Sequence, residues 1–181
     1  GGTAPGINYD SAADANDTII LSASSTLTSL NMTSAFSGTV APTINNNSVL
    51  TVNAYSQYAG TFSGGPYTLN VSGAMTVASG STFNAPTTTV FYCPSCGGTK
   101  NISIGSVTLY NFTVNSLSTQ YLLSATTTLT VTGTSTFTNG TLGATAGGKV
   151  MAEGNVVVGS SYQGGSSPLV FSGSSNSGLL N

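Results

Sequence analysis

Few side chains in this sequence can do chemistry, and the most suggestive are the two cysteines of Cys93-Pro94-Ser95-Cys96. A Cys-x-x-Cys pair supplies half of a tetrahedral zinc site. Four ligands are needed, however, and the chain has no third cysteine and no histidine. A dithiol redox centre needs a low-pKa thiolate, usually at a helix N-terminus, and no helical pattern surrounds this pair. Three readings stay open: a local disulfide pinning the Gly97-Gly98 loop, as suits an oxidising compartment, a pair of free thiols, or an intermolecular disulfide or metal link.

The charged residues are as sparse. Asp10, Asp14 and Asp17 fall within the first 17 positions, Glu153 is the one acid beyond them, and Lys100 and Lys149 are the only bases. The three aspartates offer the oxygen ligands a hard cation such as Ca²⁺ takes, but their spacing matches no cation-binding loop, and no metal is expected. Glycoside hydrolysis requires two carboxyl groups across the scissile bond, and lyase chemistry requires a base with nearby cations. Neither set is present in the repeating part of the chain. A Ser-His-Asp triad is impossible without histidine, and no phosphate-binding or dinucleotide glycine motif occurs. The sequence therefore predicts no catalytic residue, no cofactor and no enzyme activity. Scattered Tyr and Phe without Arg give no nucleic-acid footprint, and no apolar run approaches the length of a membrane span.

What would position these residues is a chain of strands. Charged residues make up 3% of the sequence, against roughly 25% in an average globular domain. Ser, Thr, Asn and Gly fill the polar positions, while hydrophobic residues reach 39%, too many for a disordered chain. Apolar and polar residues alternate from Leu129 to Phe137, the period of a strand with one buried face, and Asn139-Gly140 then supplies turn chemistry. The outline recurs from Leu69 to Val77 and from Val150 to Val158: an apolar anchor, an apolar residue two later, Gly four later, and Val or Phe eight later. Anchors at Leu30, Leu50, Leu69, Val90, Leu109, Leu129, Val150 and Leu169 are spaced 19 to 21 residues apart. Such a period predicts stacked supersecondary units. The expected fold is all-β, a parallel β-helix (β-solenoid) with coils of about 20 residues. Residues 1–17 form a lead-in loop and residues 18–181 a single domain of about eight coils. The alternative is a β-sandwich, pilin-like subunit that polymerises by strand donation. Phe62, Phe83 and Tyr162 recur 12 to 14 residues past their anchors and read as core or corner packing. The Asn45-Asn46-Asn47 run reads as a turn that can also stack as a ladder between coils.

Four of these segments, residues 67–73, 81–86, 107–115 and 129–133, resemble the tandem repeats of very large secreted microbial surface proteins. The resemblance spans roughly residues 18–173. It implies a parallel β-helix in an adhesin-like or fibre-like molecule at the cell surface, and it carries over no catalytic or binding residue. The opening residues lack the basic and apolar regions of a signal peptide. The last ten carry no charge, as expected of a piece of a longer array or of a unit built to stack end to end. The expected function is a structural, non-catalytic segment of an extracellular fibre or filament, with copies of itself or adjoining repeats as partners. An adhesive module recognising surface glycans is the alternative. N-glycosylation acceptor patterns begin at Asn16, Asn31, Asn46, Asn70, Asn101, Asn111 and Asn139, but chance alone yields several in a chain this rich in Asn, Ser and Thr.

Overall fold

In the computed structural model, residues 4–11, 20–21, 24–44 and 47–173 are described. They form 21 strands and no helix. Ahead of the regular turns come β1 (Gly6–Tyr9) and β2 (Ile20–Leu21). Turn 1 holds β3 (Ser25–Leu27), β4 (Ser29–Met32) and β5 (Thr39–Val40), followed by β6 (Thr43–Ile44). Turn 2 holds β7 (Val49–Val52), β8 (Tyr55–Gln57) and β9 (Thr61–Ser63). Turn 3 holds β10 (Thr68–Val71), β11 (Met75–Val77) and β12 (Thr82–Asn84). Turn 4 holds β13 (Thr88–Tyr92), β14 (Thr99–Ser103) and β15 (Ser106–Leu109). Three turns of two strands follow: β16 (Asn111–Leu123) with β17 (Thr128–Val131), β18 (Ser135–Ala144) with β19 (Lys149–Ala152), and β20 (Val156–Tyr162) with β21 (Leu169–Phe171).

Every strand pair is parallel, and each joins a strand to its counterpart about one turn later. The chain is a β-solenoid of about seven turns, not a sandwich. On the first side Ser25, Leu50, Leu69, Thr89, Phe112, Ser135 and Val156 stack in register. On the second, Ile7, Leu30, Tyr55, Met75, Ile102, Leu123 and Ala144 do so. The third side is two separate sheets, β5-β9-β12 and β15-β17-β19-β21. Alternation sends one residue in two inward, so Leu50, Val52, Leu69, Val71, Phe91, Phe112, Val114 and Leu129 all join one continuous buried column.

Three sequence expectations need correction. Val90 is not an inward anchor: Thr89 stacks on Leu69 and is buried, and a one-residue offset turns Val90 outward. Leu30 belongs to the second side, on Tyr55, whereas Ser25 stacks on Leu50. Leu109 is buried but pairs with Val131, and the partner of Leu129 is Val107. The anchor series thus moves from the first side to the third between Val90 and Leu109, which share turn 4. That turn is counted twice, and eight anchors fit about seven turns of about 21 residues.

The recurring Gly has a geometric cause. Gly73 joins the first side to the second, and Gly133 and Gly154 join the third to the first. At each corner a Cβ would collide with a backbone carbonyl of the turn below, that of Asn53, Tyr110 or Gly133. The shared motif is therefore a strand–glycine–strand corner, used at two different corners of the coil.

Candidate functional site

Among the described residues, the acids that sequence reading singled out for chemistry are dispersed. Asp10 follows β1, below turn 1, and the exposed Glu153 follows β19 in turn 6. Six strand spacings, roughly 29 Å along the axis, separate them, too far for two carboxyl groups to act on one bond. Asp14 and Asp17 lie outside the described residues. Among the described residues no group of three His, Cys, Asp or Glu side chains is placed to hold a metal, and no helix is long and apolar enough to cross a membrane. Of the acceptor asparagines, Asn16 and Asn46 lie outside the described residues, as does Asn45. Asn31 donates its side-chain amide to Asn8 Oδ1 (2.6 Å), Asn139 donates to Asn115 Oδ1 (2.7 Å), and Asn111 Oδ1 accepts the Thr134 N–H (3.0 Å). Asparagine ladders are therefore present, at positions other than the expected run. Asn70 is half-buried on β10, and Asn101 is exposed.

The feature that stands out is a change of cross-section at turn 4. Six residues separate Leu69 on the first side of turn 3 from Met75 on the second, but thirteen separate the positions stacked on them, Thr89 and Ile102. The extra length holds Cys93 and Cys96, joined as a disulfide with Cα atoms 5.6 Å apart, and the left-handed Gly97 and Gly98. The disulfide closes the inserted loop, and Ser116 of turn 5 donates its hydroxyl to Cys93 O (2.7 Å), fixing the loop to the next turn. From turn 5 onward the first two sides merge into the long strands β16 and β18.

The third side shortens at the same place. Fourteen residues separate Met75 from Thr89, but ten separate Ile102 from Phe112. The perimeter grows by three residues while its corners move, and β12 of turn 3 and β15 of turn 4 form no ladder. A groove of about 570 Å³ opens there, between the turn at Ala78–Ser81 and the tight corner at Ile104–Ser106. Ser79, Ser81 and Ser106 contribute hydroxyls, Phe83 and Val107 form its apolar wall, and no charged residue lines it. The lining comes from separated stretches that only turn-on-turn stacking brings together.

Sequence reading also missed a set of buried polar groups. Gln57 is fully buried and saturated: Tyr55 O–H donates to its Oε1 (2.9 Å), and its Nε2 donates to Gly60 O (3.0 Å) and Thr82 O (2.9 Å). Tyr121 O–H reaches Val71 O, two turns below (2.9 Å). Thr127 Oγ1 takes the Ile104 N–H (3.2 Å) and donates to Ile102 O (3.1 Å). Strict alternation from Tyr55 would have placed Gln57 inward, a signal the reading left unused. Burial pushes the Tyr55 phenol well above its ordinary value, with the Tyr67 phenol nearby adding to the effect, and burial alone raises Tyr67 and Tyr121. Tyr55 and Tyr121 serve as structural hydrogen bonders, the Tyr67 hydroxyl is buried without a partner, and none of the three is an acid or base poised near neutrality. Phe62 is fully buried and stacks on Phe83 (centroids 5.3 Å, planes 11° apart), while Tyr162 packs on Phe137 (5.1 Å), so all three aromatics serve the core.

No family model, no curated protein and no solved structure matches this chain.

Proposed function

We propose that the chain is a non-catalytic structural segment of an extracellular surface fibre or filament, joined end to end with copies of itself or with adjoining solenoid repeats. The observation that carries this reading is turn 7. Its strands β20 and β21 pair on one side only among the described residues, and Val157, Val170 and Phe171 are exposed on them. Such a turn is a template at 4.8 Å spacing for another turn of the same kind. Solenoids that stay single block their edges with charge or a cap, and neither strand contains a charged residue. A formal net charge of −2 over 181 residues adds little electrostatic resistance to association, and a contact that does not close on itself propagates as a filament. Among the described residues, the separation of Asp10 from Glu153 supports the non-catalytic part. The resemblance to secreted surface repeats supports the extracellular setting.

Sedimentation of the full chain against a Val157→Lys/Phe171→Lys double variant tests this. The expected result is concentration-dependent association of the parent chain and a monomeric variant with an unchanged melting temperature. A parent chain that stays monomeric at every concentration contradicts the proposal. A second reading, an adhesive module on a solenoid stalk, draws on the groove at turn 4.

A further inference from the structure

Two glycines leave a hole in the core near the last turn. Tyr121 of turn 5 and Leu142 of turn 6 stack in register, and both are buried. Over Leu142, turn 7 places Gly164, whose C=O accepts the Leu142 N–H (3.1 Å), and Gly165, where a Cβ would run into the Leu142 carbonyl. The column of inward side chains therefore stops, and a cavity of about 130 Å³ remains where turns 6 and 7 meet. Phe137, Leu142 and Val150 wall it from turn 6, and Val158, Tyr162 and Leu169 wall it from turn 7. No charged residue lines it. Ser167 lines it as well: its N–H donates to Leu142 O (3.3 Å), and its Oγ is buried without a hydrogen-bond partner.

We propose that this cavity binds a small neutral phenol, one aromatic ring carrying one hydroxyl. Its volume sets the size of the ligand. An apolar cavity of roughly 150 Å³ takes up benzene, so this one holds a single ring and no flanking main chain. Its walls favour a ring. Phe112, Phe137 and Tyr162 form an aromatic column with one member per turn, centroids 6.2 and 5.1 Å apart, and the last two members belong to the wall. A bound ring gains edge and face partners there. The Ser167 Oγ calls for the hydroxyl, because a buried oxygen without a partner carries a desolvation cost that a ligand O–H relieves. A carboxylate or ammonium in this cavity would lose hydration without gaining a partner. Every wall residue comes from turns 6 and 7 of one chain, so the site does not depend on end-to-end assembly.

The probes are phenol, benzene and benzoate, titrated into the full chain with labelled Leu and Val methyl groups and followed by NMR. The expected result is saturable shifts centred on the Leu142, Val150, Val158 and Leu169 methyls. Phenol should bind about tenfold tighter than benzene, as for one buried hydrogen bond, and benzoate should give no saturable shift. Ser167→Ala should bring phenol down to the affinity of benzene, leave benzene binding unchanged and not lower the melting temperature. Leu169→Phe, which fills the cavity from a half-buried position, should abolish binding of both rings while the methyl signals of turns 1–5 stay in place. Absence of saturable shifts overturns the proposal, as does equal affinity for phenol and benzene, or a phenol affinity untouched by Ser167→Ala. Tighter binding of a capped tyrosine amide than of phenol overturns it in favour of a peptide ligand. Binding that appears only in a Leu179→Ser/Leu180→Ser variant also overturns it, because the occupant is then the chain's own apolar pair.

Discussion

Gly73 stands where the backbone of one turn crosses the Asn53 carbonyl of the turn below, and a methyl group has no space there. Gly80 differs: its φ of 90° is left-handed, but nothing lies within 4 Å of the Cβ position. Gly80→Ala is therefore expected to cost about 1–2 kcal/mol of backbone strain. Gly73→Ala should cost distinctly more, because it prises two turns apart or overpacks the corner. Denaturant unfolding of the two variants compares them directly. Buried polar atoms divide in the same way. The Thr89 hydroxyl is buried without a hydrogen-bond partner, so Thr89→Val should be neutral or stabilise by up to about 1 kcal/mol. Gln57→Leu strands the Tyr55 hydroxyl and removes a side-chain donor from the Gly60 and Thr82 carbonyls, and should destabilise by roughly 2–3 kcal/mol in the same assay.

At the scale of elements, turn 4 exchanges length between sides, and the Cys93–Cys96 loop sits in the side that grows. A disulfide closing so short a loop removes little chain entropy, so replacing both cysteines by Ser should cost about 2 kcal/mol. The parallel stack itself is held by ladders elsewhere and should persist, with an unchanged far-ultraviolet spectrum. Strands and corners were legible in the sequence because alternation and corner glycines are local. Leu69-Asn70-Val71-Ser72-Gly73 and Leu129-Thr130-Val131-Thr132-Gly133 both fold as strand and corner. Which corner each occupies was not legible, since Gly meets the same steric demand at both. Thr89 was passed over for Val90 because residue type outweighed register. The groove had no local signal at all: it exists because β12 and β15, 22 residues apart in sequence, fail to pair.

The whole molecule is almost without titrating groups near neutrality, lacking histidine altogether. Its stability should therefore change little between about pH 6 and 9. The buried phenols of Tyr55, Tyr67 and Tyr121 have native pKa values raised above the ordinary 10. Above pH 10 the unfolded chain loses those protons while the native chain keeps them. The stabilisation is complete below the unfolded value and is lost as pH rises toward the native ones. Thermal melting across pH 6–12 should show a plateau followed by a fall beginning near pH 10.

Electron microscopy of the purified chain, with diffraction along any filament axis, tests the central claim that these turns template further turns end to end. Filaments with a meridional reflection near 4.8 Å, the spacing of stacked parallel strands, are the predicted result. Short separate rods at all concentrations, or filaments without that axial repeat, would contradict it.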